Sequence, residues 1–531
     1  MRPRPTRLAI IAVIATALSL VIAPLASAST AGGNAPTAQA GHSLNSGTHF
    51  YTPPWASGSV QQIVQLLAHR EGSNAALIAG MESVPSAVWL DGETATQAAD
   101  GAAGEQQADF DAARSVREAL AGASFEHAVP VFVAYNIPGR DCSQYSAGGA
   151  PSDAAYDSWI ESIRGALGDS KAVLVLEPDA LANLPGYCGS TYSADFPNIT
   201  NTTRIKDIAY GVSTLEGDPN ISLYIDAGHS AWQAVGNIAE VLVAADVQQA
   251  QGFFLNVSNY QYATNNVYYG SWVSSCIAYA TQLNGVTEAE ALGYASTLDS
   301  ADNSPSGAFN SCPNQYWNGG PANGWTGTAM SPYGVWSETQ TNAALNTAGT
   351  DSSYANLLGS TVPTTHFVVD TSRDGLGPND METYSGTPYD QPSGVISALQ
   401  SGNWCNPPDS GLGLRPTADT ATIPNSVDSY LPADTSLLDA YLWVKTPGQS
   451  DGQCDLAGGA RDWQDYTAPG AGGGDTTSIS GWPTSSSADW TTFDPLWSVE
   501  TNGLVTDPAA GDWFAQEALQ LAQDASPKLT P

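Results

Sequence analysis

Two apolar runs of this chain each lead directly into an aspartate, and this pattern restricts the possible folds more than any other feature. Residues 131–142 read VFVAYNIPGRDC, and residues 173–181 read VLVLEPDAL. Continuous Val, Leu and Phe bounded by Pro or Gly is typical of a strand buried on both faces of a parallel sheet. Residues just past the carboxyl ends of such strands line the mouth of a parallel barrel, so we expect Asp141 and Asp179 to share one rim. Paired carboxylates there are suited to cleaving a glycosidic bond.

Strand-like runs alternate with amphipathic segments along most of the chain. The predicted strands cover residues 76–78, 87–90, 129–134, 172–176, 222–225, 252–255, 366–369 and 440–444. The predicted helices between them include residues 60–69, 110–121, 154–167 and 237–244. This alternation favours an α/β fold in which βα units surround a parallel sheet or barrel.

The remaining length lies in two long stretches without apolar periodicity. Residues 261–360 hold clusters of Gly, Asn, Ser and Trp, and residues 468–494 are rich in Gly, Ser and Thr. Loops of this length are uncommon in a compact domain unless they are functional or disordered. We expect the first to be a cysteine-braced insert of irregular loops and the second to be flexible. One catalytic domain over residues 48–531 accounts for nearly all of the chain.

The N-terminus has the pattern of an export signal. Arg2, Arg4 and Arg7 precede an apolar run over residues 8–25, and Ala-Ser-Ala follows at residues 26–28. This arrangement is typical of a signal peptide with a small-x-small cleavage site, so we expect residues 1–28 to be removed. Residues 29–47 are rich in Ala, Gly, Thr and Ser and are expected to form a disordered lead-in. No later apolar stretch approaches the roughly 20 residues of a membrane span, which favours a secreted, soluble protein.

Six cysteines in an exported chain favour three disulfides, because the compartment is oxidising and no Cys or His spacing typical of a metal site is present. About 15 pairings are possible for six cysteines. We expect the pairing that closes the shortest loops: Cys142 with Cys188, Cys276 with Cys312, and Cys405 with Cys454. No metal ion is expected.

The charge balance excludes some classes of partner. The chain has 16 basic and 52 acidic residues, and its formal charge is -36. Such a charge repels the phosphates of nucleic acids and anionic lipids alike. It improves solubility outside the cell, and it is compatible with an uncharged polysaccharide as the partner.

Six aspartates follow predicted strands: Asp91, Asp141, Asp179, Asp226, Asp370 and Asp451. Any one of them alone is more simply explained as a turn residue, but six at the same relative place favour a functional rim. Asp179 lies between Pro178 and an apolar pair, which favours desolvation and a raised pKa suited to a general acid. Arg140 precedes Asp141 and should favour its ionised form.

Residues 135–142 and 176–181 resemble the two signature motifs of glycoside hydrolase family 6, the endoglucanases and cellobiohydrolases. Further blocks similar to the family follow in order at residues 226–232, 256–260, 370–373, 404–407 and 443–452. The resemblance covers roughly residues 50–455, and this many collinear blocks make it specific.

The resemblance implies a distorted parallel β/α barrel, similar to a TIM barrel but incompletely closed, that hydrolyses β-1,4-glucan with inversion and without a cofactor. It implies that Asp179 is the general acid and that Asp141 helps to hold its proton. Asp451 matches the family's candidate base, which can act through a chain of waters. Ser146 lies near the family's water-holding serine, and Tyr135 would crowd the sugar at the cleavage point. Inversion requires acid and base carboxyls about 6.5–9.5 Å apart.

The resemblance also implies a set of sugar-binding residues. Indole rings stack on the C–H faces of pyranoses, and Trp89, Trp232 and Trp404 occupy such positions. The polar members of the set are Asp226, His229, Asn259, Lys445 and Gln449. The family usually has a glutamate at the position of Gln449. The amide keeps the size and hydrogen-bonding capacity of that glutamate but removes its charge.

Several functions are compatible with these observations. The blocks at residues 146–152 and 227–232 are similar to the bacterial endoglucanase branch, which favours a secreted, monomeric endo-β-1,4-glucanase. A cellobiohydrolase is the close alternative, since the inserts could cover the cleft and form a tunnel. A carbohydrate-binding protein without turnover would be expected to lack a core carboxylate, yet Asp141, Asp179 and Asp451 are all present. A structural surface protein leaves the strand-end aspartates unexplained.

Overall fold

A computed structural model describes most of the chain. The described residues are 44–92, 101–143, 146–299, 303–317, 328–386, 404–422, 435–453 and 505–529, with Ser393, Ile396, Gln400 and Trp497. The predicted signal peptide, most of the predicted lead-in and the predicted flexible stretch at 468–494 lie outside these residues.

Within the described residues, seven parallel strands form one sheet whose spatial order is the same as their order in the sequence. The strands are β1 (Val88–Asp91), β2 (Val131–Tyr135), β3 (Ala172–Leu176), β4 (Ile221–Asp226), β5 (Gly252–Leu255), β6 (His366–Asp370) and β7 (Leu438–Leu442). The two ends of the sheet approach each other, since Ala87 N–H donates to Trp443 O at 2.9 Å beside β1 and β7. The predicted α/β fold, a parallel barrel with incomplete closure, is confirmed.

The strands form because their apolar residues are buried on both faces. Phe132 and Leu174 point outward and pack against helices, while Val133 and Val175 point into the barrel. Val133 pairs with Val175 in the β2–β3 register. A continuous run of Val, Leu and Phe suits both environments. In a strand with one solvent-exposed face, apolar residues would instead alternate with polar ones.

Helices cover the outer face of the sheet and connect successive strands. They are α1 (Ser57–Ala68), α2 (Gly72–Met81), α3 (Ala102–Glu126), α4 (Asp153–Leu167), α5 (Gly189–Asp195), α6 (Asn201–Leu215), α7 (Val235–Ala244), α8 (Ala263–Ala278), α9 (Glu288–Ala295), α10 (Ala348–Leu358) and α11 (Ala515–Gln523). The start of α4 shows how sequence sets such a boundary, because the Ser152 side chain accepts the Ala155 N–H as an N-cap.

Two local predictions are wrong. Residues 76–78 were predicted as a strand but lie inside α2, because a short apolar run fits either element. Residues 261–360 were predicted to be irregular, yet they contain α8, α9 and α10. All residues of α8 except Ser271 are buried, so this helix has no polar face and no apolar periodicity to reveal it.

Two of the predicted disulfides are confirmed, Cys142–Cys188 and Cys276–Cys312. Cys405 is buried and disulfide-bonded, and its predicted partner, Cys454, lies outside the described residues. Within the described part of the chain, no helix is long and apolar enough to cross a membrane.

Candidate active site

The carboxyl ends of the strands surround a cavity of about 340 Å³. Six of the predicted site residues line it: Asp141, Asp179, His229, Trp232, Asn259 and Trp404. They come from the ends of different strands and from the loop before β7, so the barrel topology brings them together from distant parts of the sequence.

A second cavity of about 320 Å³ lies beside the end of β1. Trp89, Asp91 and Gln449 line it, and the Trp89 ring meets the Tyr135 ring edge-on at 5.3 Å. The Trp89 indole is fixed by a hydrogen bond from Nε1 to Val444 O at 2.8 Å. Of the predicted catalytic and sugar-binding residues, the six named above therefore line the first cavity, and Trp89 and Gln449 line the second. The others line neither cavity: Tyr135, Ser146, Asp226, Lys445 and Asp451.

Asp179 is held in an environment that favours its protonated form. Burial raises the pKa of this carboxyl well above its usual range, and the charges of Asp226, Asp141 and Asp451 raise it further. The backbone N–H of Asp179 donates to Asp226 Oδ1 at 2.9 Å. Asp179 also has a positive φ of 65°, a conformation costly for a residue with a side chain and common at functional sites.

Asp141 is bound to Ser146 by two hydrogen bonds. The backbone N–H and the Oγ of Ser146 both donate to Asp141 Oδ2 at 2.9 Å. Ser146 Oγ also lies 2.8 Å from the Tyr135 hydroxyl, so the three side chains form a chain of hydrogen bonds. This contact places Ser146 beside Asp141.

The expected effect of Arg140 on Asp141 is outweighed by burial. Desolvation raises the pKa of Asp141 above its usual range, although Ser146 and Arg140 act in the opposite direction. The Arg140 guanidinium is engaged elsewhere, since Nε donates to Ser146 O at 2.8 Å and Nη1 donates to Tyr135 O at 2.5 Å. Adjacency in sequence therefore did not create an Arg140–Asp141 ion pair.

Asp451 is surrounded by donors. Arg373 binds both of its carboxylate oxygens, at 2.9 and 3.0 Å, and Lys445 Nζ binds Oδ1 at 2.9 Å. Asn406 N–H and the Tyr260 hydroxyl donate to Oδ2 at 3.0 and 3.1 Å. Burial alone would raise the pKa of Asp451, but the two cations outweigh it and lower the pKa to about 2. Asp451 is therefore ionised and a weak proton acceptor.

Buried carboxylates connect neighbouring strand ends. Glu177, after β3, accepts the N–H groups of Asn136 and Ile137, after β2. Asp226, at the end of β4, accepts the N–H of Asp179, and Asp370, at the end of β6, accepts that of Lys445. These bonds fix the loops that carry the cavity-lining aspartates.

Asp226 was predicted to bind substrate, and the structure corrects this. Its exposed fraction is 0%, so it lies behind Asp179 and does not line the cavity. The backbone of a strand-end loop needs acceptors for its N–H groups, and a carboxylate at a neighbouring strand end supplies them. Sequence spacing could not distinguish this role from that of a carboxylate facing the cleft.

His229 and Trp232 form a polar and apolar pair on the cavity wall. Burial lowers the pKa of His229 to about 3, so the imidazole is neutral. Its Nδ1 accepts the Ala231 N–H at 3.2 Å, which leaves Nε2–H as a donor. The His229 and Trp232 rings lie 5.6 Å apart, an arrangement that can stack a sugar beside a hydrogen-bond donor.

Sequence reasoning missed three charged residues of this site. Glu177 lies inside the LEPDAL motif and Arg373 inside the block at residues 370–373, so motif membership could have drawn attention to both. Glu517 lies in α11 and contacts Arg373 at 3.0 Å, but nothing in the local sequence indicates this contact. Among the described residues, no group of three or more His, Cys, Asp or Glu side chains could hold a metal ion.

The profile of the family described as "Glycosyl hydrolases family 6" matches residues 45–475. The chain belongs to this family. It is therefore a cellulase, a hydrolase that acts on glycosidic bonds.

Curated relatives of this family 6 enzyme carry the names of both cellulase types. Probable 1,4-beta-D-glucan cellobiohydrolase C of Aspergillus niger is 28% identical over 435 residues, which covers 79% of this chain and 71% of that protein. Endoglucanase 1 of Streptomyces halstedii is 26% identical over 427 residues, covering 80% and 88% respectively. Endoglucanase A of Thermobispora bispora is 35% identical, but over 161 residues only, or 30% of this chain and 34% of that protein.

Solved structures share the fold. Endoglucanase CEL6B from Humicola insolens has a TM-score of 0.50 at 18% identity, covering 91% of this chain and 98% of that chain. The catalytic core domain of the cellobiohydrolase Cel6A from Chaetomium thermophilum has the same TM-score at 20% identity, with coverage of 91% and 98%.

Proposed function

We propose that this family 6 enzyme is a secreted endo-β-1,4-glucanase that cleaves internal bonds of cellulose or a related β-glucan with inversion. The observation that carries the proposal is the contrast between two strand-end carboxylates. Burial and neighbouring charges hold the pKa of Asp179 well above its usual range, whereas Arg373 and Lys445 lower that of Asp451 to about 2. Glycoside hydrolysis needs a carboxylic acid that keeps its proton and a carboxylate that stays ionised to stabilise the positive charge that develops on the sugar.

In the proposed reaction, Asp179 donates its proton to the glycosidic oxygen as the bond from that oxygen to the anomeric carbon breaks. Positive charge develops on the sugar ring, and a water attacks the anomeric carbon from the opposite face. The new carbon–oxygen bond replaces the broken one, which inverts the configuration. The attacking water loses one proton, and Asp179 recovers one from solvent after the products leave.

The acceptor of the water's proton is assigned to the Ser146 and Asp141 pair. The surroundings of Asp451 support this assignment, because a carboxylate with a pKa of about 2 and five hydrogen-bond donors takes up protons poorly. Asp141 has a raised pKa and is therefore the stronger base. Ser146 Oγ, bound to Asp141 at 2.9 Å, can relay the proton through a water. Asp451 stabilises the developing positive charge.

The two cavities are proposed to bind sugar units on either side of the cleaved bond. Trp232 and Trp404 provide stacking surfaces in the first cavity, with His229 and Asn259 as hydrogen-bonding neighbours. Trp89 and Gln449 serve the second cavity, close to Tyr135. Gln449 offers the sugar both a donor and an acceptor, whereas a glutamate would offer acceptors only.

Export and the absence of charged partners are part of the proposal. The N-terminal pattern of residues 1–28 supports secretion, and the formal charge of -36 supports an uncharged polymer as substrate. The enzyme is proposed to act as a monomer and without a cofactor.

A cellobiohydrolase is the second candidate, since relatives that match most of the chain include 1,4-beta-D-glucan cellobiohydrolases. The two modes are separated by the loss of viscosity of carboxymethyl cellulose per reducing end released. A steep early loss is expected for internal cleavage, with the Asp179→Asn variant as the inactive control. Release of cellobiose from amorphous cellulose with little loss of viscosity would favour the cellobiohydrolase. No hydrolysis of either substrate by the wild type would contradict the proposed function.

The predicted inversion of the anomeric configuration is tested separately. Proton NMR of the first turnovers on cellohexaose should show the new reducing end as the α-anomer before mutarotation sets in. A β-anomer as the first product would contradict the single-displacement mechanism.

A further inference from the structure

Glu517 is a buried carboxylate that reaches the active site from helix α11. Its side chain is 1% exposed, and Oε1 accepts a hydrogen bond from Arg373 Nη1 at 3.0 Å. The other oxygen, Oε2, is buried with no hydrogen-bond partner among the described residues. Burying a carboxylate with one unpaired oxygen costs free energy, which offsets part of what its ion pair with Arg373 contributes to stability.

The chain that leads into α11 is attached to the loop that carries Asp451. Ser450 N–H donates to Asp512 O at 2.8 Å, and Phe514 N–H donates to Gly448 O at 2.7 Å. These bonds fix the start of α11 next to the catalytic loop. The segment lies beyond residues 45–475, the part of the chain that matches the family profile.

The Arg373 guanidinium is shared between two carboxylates. Nη1 donates to Asp451 Oδ2 at 2.9 Å and to Glu517 Oε1 at 3.0 Å, which uses both of its N–H groups. Nη2 donates to Asp451 Oδ1 at 3.0 Å and to Ser258 O. With all four terminal N–H groups paired, the guanidinium is held in one orientation against Asp451.

The charges of this cluster cancel. Arg373 and Lys445 are the cations, and Asp451 and Glu517 are the anions. Tyr260 completes the surroundings, with its ring 4.2 Å from the Arg373 guanidinium and its hydroxyl on Asp451. Without Glu517 the buried cluster would have a net charge of +1.

We propose that Glu517 is a positioning residue for hydrolysis, which holds the Arg373 guanidinium against Asp451 and keeps the cluster neutral. The inference rests on the proposed function, because its effect is on the reaction assigned above. An uncompensated positive charge would oppose the cationic transition state. It would also favour ionised Asp179, whose proton the reaction needs.

The test compares the Glu517→Gln variant with the wild type. Gln keeps the shape and an oxygen that can accept from Arg373, and it removes only the charge. We expect kcat on a soluble cello-oligosaccharide to fall roughly tenfold with KM unchanged, a loss typical of residues coupled in one ion-pair network. We expect the alkaline limb of the pH–rate profile to move to lower pH by roughly 0.5 unit, because Asp179 loses its proton more easily.

Glu240→Gln is the matched control. Glu240 is also a buried helix carboxylate with one unpaired oxygen, but it accepts its hydrogen bond from Ser306 N–H instead of from an arginine. This variant is expected to keep the wild-type kcat and pH profile. A Glu517→Gln variant with wild-type kcat and an unmoved alkaline limb would overturn the proposal, since a merely structural role would be satisfied by the amide.

Glu517→Asp keeps the charge and shortens the side chain by one methylene. It should retain the wild-type alkaline limb while kcat falls, because the contact with Arg373 is lost. It also serves as the test if Glu517→Gln does not fold. Wild-type kcat in Glu517→Asp would overturn the positioning role.

A crystal structure of the Glu517→Ala variant separates this inference from the proposed function. Arg373 is expected to leave at least one of its hydrogen bonds to Asp451, and an unchanged Arg373–Asp451 geometry would overturn the inference. This outcome does not depend on activity. A wild type that hydrolyses no β-glucan would contradict the proposed function and leave the geometric test valid.

Discussion

Asp226 Oδ1 accepts the backbone N–H of Asp179 at 2.9 Å, so the carboxylate that ends β4 fixes the main chain of the acid that follows β3. The same oxygen accepts the Gly228 N–H at 3.0 Å. The charge of Asp226 also contributes to the raised pKa of Asp179, after the larger effect of burial. Burial raises the pKa of Asp226 itself to about 7, so its charge acts on Asp179 above that pH. One buried residue thus both places the acid and, once ionised, helps to keep it protonated.

Replacing Asp226 with Asn separates these two effects. The amide oxygen can still accept both backbone N–H groups, but the negative charge beside Asp179 is removed. The pKa of Asp179 should fall, and the alkaline limb of kcat/KM should move to lower pH by roughly 0.5–1 unit. The pH–rate profile measures this shift, and an unmoved limb would show that Asp226 does not influence the protonation of Asp179.

Replacing Ser146 with Ala tests the proposed proton relay. The variant keeps the backbone N–H bond to Asp141 and loses the Oγ bond at 2.9 Å. A hydrogen bond to a charged group is worth about 1.5–3 kcal/mol, so kcat should fall roughly 10- to 100-fold with little change in KM. Ser193→Ala, which removes an exposed hydroxyl bound to Gly189 O, is the control. Equal activity of both variants would contradict the relay.

Trp232 is expected to contribute binding and not chemistry. Its ring lines the first cavity and lies 5.6 Å from the His229 ring. Trp232→Ala should raise KM for cello-oligosaccharides roughly tenfold while kcat stays near the wild-type value. Phe125→Ala, at a side chain that is 89% exposed, is the control. A fall in kcat without a rise in KM would place Trp232 in the reaction itself.

The Cys142–Cys188 disulfide should matter for activity as well as stability, because it joins the loops that carry Asp141 and Asp179. Loss of a bridge with a sequence separation of 46 is expected to cost about 4 kcal/mol in the free energy of unfolding. The double variant Cys142→Ala/Cys188→Ala should therefore show a lower unfolding midpoint and a lower kcat. Removing Cys276–Cys312 is the comparison, and it should lower stability without lowering kcat. Equal kcat in the two double variants would contradict the positional role.

Stability should depend on pH through His366 at the start of β6. Its Nδ1 bonds Asp439 Oδ1 at 2.7 Å, and this contact raises the pKa of His366 above its usual value. The stabilisation is therefore complete below the unfolded-state pKa of about 6.5 and is lost as pH rises through the higher folded-state value. Urea unfolding from pH 5 to pH 9 should show this loss in the wild type but not in His366→Gln. The same pH dependence of the unfolding free energy in both proteins would contradict this role of His366.

The strands could be predicted where buried apolar residues follow one another along the sequence. Strands β3 and β5 match the predicted bounds because their apolar residues contact helices on one face and the barrel interior on the other. Helix α8 was missed because it is buried on nearly all sides, and a helix without a polar face has no period to detect.

Residues of the candidate site could be predicted where they lie inside a sequence motif. Asp141 and Asp179 follow apolar strands, and topology alone brings strand ends to one rim. The partners of those residues were less accessible to sequence reasoning. Arg373 and Glu517 are 144 residues apart, and their contact depends on how α11 packs against the catalytic loop. The lowered pKa of Asp451 was hidden from sequence reasoning for a similar reason, since Arg373, Asn406 and Tyr260 donate to it from distant segments.

The central claim is that Asp179 donates the proton to the departing glycosidic oxygen, and leaving-group dependence tests it most directly. The measurement compares kcat of the wild type and of Asp179→Ala on cellohexaose and on 2,4-dinitrophenyl β-cellotrioside, whose phenolate leaves without protonation. We predict that the variant loses at least 10³-fold on cellohexaose, near the upper part of the range for general acid catalysis, and far less on the activated substrate. Equal losses on both substrates would contradict the assignment of Asp179 as the general acid.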